Sequence, residues 1–389
     1  MSVGSCAVRC SPRVSVGSSL ASVETKKFPG LSNHLITAFE FDTDNNCFVL
    51  TRSALFMISS NGTKGLVCGD DSEELGFSDG AGIQARFDCP SHMQLLSGKR
   101  LLVSDWNNHA LRMVFLETGI VQTLVGTGEP GISADGVEDE TSQLNQPGGL
   151  AKDSNGIVYC ADSQNNRIMK LEIPDDWPTT KVSMTVLSGC GNAGHVDGDR
   201  ETSEFNMPIG LRLDGDNNLV VADAYNRAIR YVCSSCGQSK TLSGNDIDSV
   251  EFRDGEANNA RFAYPCEIAV DANNNFIIVD QYNHCLRLMT QSGLPYINVG
   301  HDHPESDYPS VVTIAGGGNI FGHNDIPSEL QSVDGLGVNA RFYLPFHISF
   351  DNTGKLWVLS ADNHGEARIV TSLNENSFIA KGLHNTLIL

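Results

Sequence analysis

The 389-residue chain has no run of eighteen apolar residues, so nothing in it reads as a membrane-spanning helix. The N-terminus also lacks the apolar core of a secretory signal. Positive charge is scarce: 26 Lys and Arg stand against 47 Asp and Glu, for a formal net charge of −21 at pH 7. Such a chain repels phosphate backbones and shows no local basic patch, so nucleic-acid binding is not expected. Charged residues are only 19% and hydrophobic residues 40%, which excludes general disorder and leaves material for a core. There is no Ser/His/Asp set, activated cysteine or paired-acid motif. A disulfide framework is missing too. The eleven cysteines are odd in number, follow no repeat spacing and in places sit inside apolar strand patterns, as Cys160 does in IVYCAD, which points to a reducing compartment.

What the chain has instead is a phrase that recurs. SDWNNHALR (104–112) returns as VDQYNHCLR (279–287), with further copies in ADSQNNRIM (161–169), ADAYNRAIR (222–230) and LSADNHGEAR (359–368). Aligning the copies on Pro90, Pro147, Pro208, Pro265 and Pro345 places an Asp-Gly pair before each proline, at Asp79, Asp135, Asp197, Asp254 and Asp334. A large apolar residue stands three before each proline: Phe87, Leu144, Phe205, Phe262 and Phe342. Downstream come Asp105, Asp162, Asp223, Asp280 or Ser360, and then Asn108, Asn165, Asn226, Asn283 or Asn363.

Each unit reads as four short strands. An alternating segment such as GLRLDGDNN (210–218) or EIAVDANNN (267–275) runs to a turn. An apolar strand such as FIIVD (276–280), the Asp-x-x-Asn turn, another strand, and a last strand ending in Gly follow, as in TLVG (123–126) and VLSG (186–189). Four strands with Gly, Asn and Asp turns, repeating at proline intervals of 57, 61, 57 and 80 residues, describe propeller blades. A degenerate unit at 35–69 keeps the strand alternation around Phe39, Phe41 and Val49 but has lost the Asp-Gly and Asp-x-x-Asn signatures. The expected fold is therefore all-β: a six-bladed β-propeller of four-stranded antiparallel blades over residues 31–389. Residues 1–30 are expected to be a flexible N-terminal segment. The first 27 residues are Ser-rich, with Arg9 and Arg13 and no acid before Glu24. An ordinary disordered N-terminus and a cytoplasmic location are favoured over a transit peptide and an organelle lumen.

The pairs NHAL (108–111) and NHCL (283–286), set in this repeat, resemble the Asn-His-Leu signature of the NHL-repeat propeller family. That resemblance implies the fold and leaves the function open, because such propellers serve as protein- or RNA-binding platforms and as some lyase-type enzymes. In the lyases a metal lies in the channel on histidines.

Most eye-catching residues read as architecture. His109, His284 and His364 occupy one turn in different blades, where Asn166 and Arg227 stand equally well. Arg112, Arg230, Arg287 and Arg368 recur with the repeat and are expected to anchor neighbouring carbonyls or acids. GTGEPG (126–131) and GCGNAG (189–194) match a nucleotide-binding glycine pattern but fall in inter-blade connections with no helix to open. Cys233 and Cys236 form a lone CxxC, read as two free thiols on a hairpin.

Departures from the repeat are more informative. Two residues past each proline stand His92, Gly149, Gly210, Glu267 and His347, on the innermost strand beside the channel. His92, Glu267 and His347 form a candidate divalent-metal site, with each side chain bonding a separate carbonyl or water as the favoured alternative and the glycines merely leaving room. Two insertions, around 301–310 and 317–332, are candidate contact loops on opposite faces, with His301 and His303 as further candidate ligands. The expected function is a monomeric, non-enzymatic platform that binds a protein or peptide on one face, with no cofactor. The alternative is a channel-site metalloenzyme, a hydrolase or lyase.

Overall fold

Runs of β-branched and large apolar residues, interrupted by Asp, Asn and Gly, pair here as six antiparallel sheets arranged around a channel. The computed structural model describes residues 21–133, 142–244, 252–290, 309–316, 332–336, 339–362 and 365–372. From the channel outward, the first blade is Ile36–Phe41, Cys47–Thr51, Ala54–Ile58 and Lys64–Gly69. The innermost strands of the second to sixth blades are His92–Leu96, Pro147–Lys152, Pro208–Leu213, Pro265–Val270 and Pro345–Phe350. The degenerate unit is thus a full blade of the ring, and the all-β six-bladed propeller is what the chain forms. Among the described residues no helix is long and apolar enough to cross a membrane.

The domain boundary expected at residue 31 is displaced. Ala21–Lys27 pairs along its whole length with Glu366–Ser372 and forms the fourth strand of the sixth blade, outside Leu356–Ser360 and Pro345–Phe350. The described part of the segment expected to be flexible is therefore structural. Ring closure joins Ala21–Lys27 and Glu366–Ser372 in one sheet, and Val23 is buried. Thr25 ties the same strand to Asp334 through its backbone N–H at 2.9 Å and its hydroxyl at 2.8 Å. Residues 1–20, the tail from 373 and most of both insertions lie outside the described residues.

Among the described residues the core divides into six clusters, each between two neighbouring blades. Phe87, Leu144, Phe205, Phe262 and Phe342 each sit in one of these seams, and all five are buried. The seam between the sixth and first blades uses Phe28 and Leu31 instead.

Two repeated devices explain why the signature residues recur. In the turn after the innermost strand of every blade but the second, an Asp side chain accepts backbone N–H groups two and four residues on, as Asp271 does from Asn273 and Asn275 at 2.8 Å each. Asp42 does the same in the first blade. The second device is a buried ion pair. Arg112, Arg230 and Arg287 bond Asp105, Asp223 and Asp280 at 2.7, 2.9 and 3.0 Å, with the Asn108, Asn226 and Asn283 amides donating to the same carboxylates. The outer guanidinium nitrogen reaches the Asp-Gly aspartates Asp79, Asp197 and Asp254, so the first and last parts of these three units are fastened together. The third blade has Met169 at this arginine position and fills the role from two residues earlier, with Arg167 on Asp162.

The histidines of the recurring turn are architecture as well. His109 Nδ1 accepts the backbone N–H of Gln146, and His284 Nδ1 that of Leu344, both at 3.1 Å and both in the following blade. Asn166 does the same for Met207 with its side-chain oxygen at 3.0 Å. Acceptance requires a neutral imidazole, and burial lowers the pKa of both histidines accordingly. His364 and Asn363 lie outside the described residues.

Candidate functional site

In the second to sixth blades a proline stands at the start of the innermost strand, on the face that also carries the Asp-x-x-Asn turns. Two residues past it the side chain points into the channel near that mouth. In the first blade, Ile36 pairs with Thr51 as Pro265 pairs with Asp280, so Ala38 is the equivalent residue. The ring at this level therefore consists of Ala38, His92, Gly149, Gly210, Glu267 and His347.

Here the sequence-predicted trio meets. All three residues are buried, and their ligand atoms lie within 4.8 Å of one another. Glu267 is the hub. Its Oε2 accepts from His92 Nε2 at 2.7 Å and lies 3.7 Å from His347 Nδ1. Its Oε1 accepts the backbone N–H of Ile268 at 3.0 Å and lies 3.3 Å from Arg212 Nη1. His347 in turn donates Nε2–H to the Phe39 carbonyl at 2.9 Å. That single carboxylate thus links the second, fourth, fifth and sixth blades, and His347 extends the network to the first.

The protons follow from the partners. A carbonyl only accepts, so His347 carries its proton on Nε2. Burial pushes its pKa down to about 4, more than the nearby Glu267 charge raises it. At neutral pH its Nδ1 holds a lone pair, and this buried atom has no hydrogen-bond partner. Burial alone would raise the Glu267 pKa, but Arg212 and His92 outweigh it and hold the carboxyl at about 2. The hub is therefore an ionised carboxylate whose Oε2 faces one donor, on His92, and one orphaned lone pair, on His347.

The alternative in which each side chain bonds a separate group is overturned for His92, whose Nε2 bonds Glu267 directly; it holds in part for His347 on Phe39. The expectation that Gly149 and Gly210 merely leave room is also corrected. A Cβ on Gly149 would lie 2.7 Å from the Ile209 carbonyl oxygen, and one on Gly210 2.6 Å from that of Cys266. These glycines let the innermost strands of the third, fourth and fifth blades close on one another, backbone to backbone.

Two channel residues escaped the sequence reading. Arg212 and Glu40 stand four positions past the start of their innermost strands, one level deeper than the trio. Desolvation pushes Glu40 up to about 7, with Arg212 lowering it and Glu267 raising it further. The signal was available: reading the same alignment two residues on shows an arginine and an acid among Gln94, Ala151, Ala269 and Ser349.

The rim of the same mouth carries a second departure. Tyr225 and Tyr282 are 55% and 42% exposed, at a turn position held by Asn107, Gln164 and Asp362 in other blades. Between them Tyr264 stacks on Tyr282 with ring centroids 4.6 Å apart and meets Tyr225 edge-on at 5.6 Å. Tyr264 immediately precedes Pro265, so this arc begins three residues from Glu267. The signal in the sequence is a tyrosine at two of these five equivalent turn positions.

No family model matches the sequence. The protein SUPPRESSOR OF QUENCHING 1, chloroplastic, of Arabidopsis thaliana is 26% identical over 303 residues, covering 75% of this chain and 26% of the relative. NHL repeat-containing protein 2 of Bos taurus is 25% identical over 302 residues, covering 74% of this chain and 39% of the relative. The chain thus spans well under half the length of these curated relatives. Among solved structures, virginiamycin B lyase from Staphylococcus aureus superposes with a TM-score of 0.50 over 90% of this chain and 99% of the other, at 9% identity, a likeness of fold alone.

Proposed function

We propose that this chain, a six-bladed β-propeller of the NHL-repeat family, is a non-enzymatic platform that binds a protein or peptide on the face bearing the channel mouth. The observation that carries this reading is the Tyr225–Tyr264–Tyr282 arc. Folding does not require three packed tyrosines there, since the second and third blades form the same turn with Asn107 and Gln164. Exposed tyrosines offer large, rigid contact area with a polar tip, which is why they concentrate in the energetic centres of interfaces. The net charge of −21 directs the choice of partner away from nucleic acid and toward polypeptide. Affinity capture with the wild type and a Tyr225→Ser/Tyr282→Ser variant, at matched thermal midpoints, tests it. Partners should fall away at least roughly tenfold in the variant, as for loss of one interface anchor. Partners retained in full would refute the platform on this face.

A second reading is favoured by the orphaned Nδ1 of His347: a divalent metal held by His92, Glu267 and His347. The donor set fits, since two imidazoles and a carboxylate suit zinc, and a cation would satisfy both the lone pair and the carboxylate. Ligand atoms of a tetrahedral zinc lie about 3.3 Å apart. The 3.7 Å between Glu267 and His347 needs slight contraction, while the 2.7 Å between Glu267 and His92 must open as Nε2 gives up its proton. A bound metal would supply Lewis-acid polarisation at the channel mouth, the chemistry a hydrolase or lyase of this fold would use. Metal analysis after chelator-free purification separates the readings. The platform reading expects substoichiometric zinc and a thermal midpoint unmoved by EDTA. One metal per chain that disappears in His92→Ala would make the enzyme reading the leading one.

A further inference from the structure

We infer that Cys233 and Cys236 form a reversible dithiol–disulfide site that reacts by exchange with small disulfides, Cys233 attacking and Cys236 resolving. The two residues cap the turn between Ala228–Val232 and Ser239–Ser243 in the fourth blade. This turn is held from several sides. Cys233 N–H donates to Gln238 O at 2.9 Å, Gly237 N–H to Cys233 O at 2.8 Å, and Ser234 N–H to the Asn218 side chain at 3.2 Å. Gly237 takes φ +73°, and a Cβ there would lie 2.1 Å from the Leu187 carbonyl oxygen, so the bend is locked against the third blade.

Within this frame two groups able to donate converge on the Cys233 sulfur. The backbone N–H of Cys236 reaches it at 3.4 Å, and the Ser235 hydroxyl lies 3.2 Å away. A sulfur so placed is stabilised as a thiolate, the form that attacks disulfides. Burial opposes this, yet the hydrogen bonds from Cys236 and Ser235 prevail and lower the Cys233 pKa, whereas burial and the neighbouring sulfur raise that of Cys236. One sulfur is thus prepared to attack while the other keeps its proton. Cys236 is exposed and Cys233 half-buried, so both are within reach of a small reagent.

The exchange balances. The Cys233 thiolate attacks one sulfur of a disulfide RSSR, forming a Cys233–S–S–R bond and expelling RS⁻, which takes a proton. Cys236 then loses its proton and attacks the Cys233 sulfur, forming the Cys233–Cys236 bond and releasing the second RSH. The protein is oxidised by two electrons and the small disulfide reduced by two.

The site lies on the face opposite the tyrosine arc, so its failure and that of the platform are read separately. The reduced full chain is incubated with oxidised glutathione, quenched by alkylation and mapped by peptide mass spectrometry. The wild type should lose two hydrogens across Cys233 and Cys236. Cys236→Ser should trap a mixed disulfide on Cys233, and Cys233→Ser should slow modification at Cys236 by roughly tenfold or more. Cys190, exposed but outside this turn, is the internal reference. The absence of an adduct on Cys233 in Cys236→Ser, or one forming no faster than on Cys190, overturns the proposal.

Discussion

Replacing Glu267 with Gln changes one atom of a fully buried side chain, but it removes the charge on which four blades converge. Gln keeps the length and one acceptor, so packing is nearly conserved and the loss is electrostatic. Arg212 and His92 are left facing a neutral amide in the channel. The depression of the carboxyl from its ordinary value of 4.5 to about 2 corresponds to stabilisation on the order of 3 kcal/mol. Breaking one side of a buried ion pair elsewhere costs roughly 3–5 kcal/mol, so the two routes agree. Glu267→Gln is therefore expected to lower unfolding free energy by about 3 kcal/mol at pH 7, read by urea titration.

The pH dependence sharpens this test. Glu267 has a folded pKa below its unfolded one, so its contribution is present above about pH 4.5 and is lost as pH falls toward about 2. His347, lowered from 6.5 to about 4, favours the neutral ring in the fold. Its contribution is present above about pH 6.5 and disappears as pH falls toward about 4. The wild type should lose stability in both windows. Glu267→Gln should keep the loss between 6.5 and 4, because burial, the main cause of the His347 shift, persists, and its deficit against wild type should shrink below pH 4.5. A variant within about 0.5 kcal/mol of wild type at pH 7, the scatter of surface substitutions, would refute the hub. So would a deficit that stays constant from pH 7 to pH 3.

Phe262→Ala should cost roughly 3–5 kcal/mol, since Phe262 fills the seam between the fourth and fifth blades and lies under the Arg287 guanidinium, 5.0 Å away. An unchanged thermal midpoint would show that the residue is not the wedge described. Deleting residues 1–27 removes the outer strand of the sixth blade and bares the edge of Glu366–Ser372, so the midpoint should fall and the chain should associate with rising concentration. A monomer of unchanged midpoint would mean that closure does not depend on this strand.

The blades were legible because most of them repeat the same requirements: an Asp to hold the turn in all but the second, an apolar wedge in the second to sixth, and a complete Asp–Asn–Arg set in the second, fourth and fifth. The closing strand was not, since ASVETKK (21–27) lies toward the outside of its blade, where among the described side chains only Val23 is deeply buried and no signature is demanded. Arg167 hid for a related reason, as the guanidinium reaches the same carboxylate from a different position in the alignment.

In the channel, the reading succeeded where a residue broke its own repeat and failed where identity alone is ambiguous. His92, Glu267 and His347 stand out among small residues, and the fold brings them together. A glycine beside a channel reads equally well as space or as contact, and only the Ile209 and Cys266 backbones decide for contact at Gly149 and Gly210. That closeness has a consequence for function. With the third to fifth blades drawn together, the fifth carries Tyr264 and Glu267 on either side of Pro265, so the exposed arc and the buried charge share one strand entrance. A partner seated on the tyrosines sits at the rim directly above the hub, yet the two have separable readouts. Tyr225 and Tyr282 are too exposed for their loss to unfold the ring, and Glu267 is too deeply buried to offer a partner any surface. Binding lost without stability, and stability lost through the hub alone, together distinguish a docking face from the network that holds its blades in place.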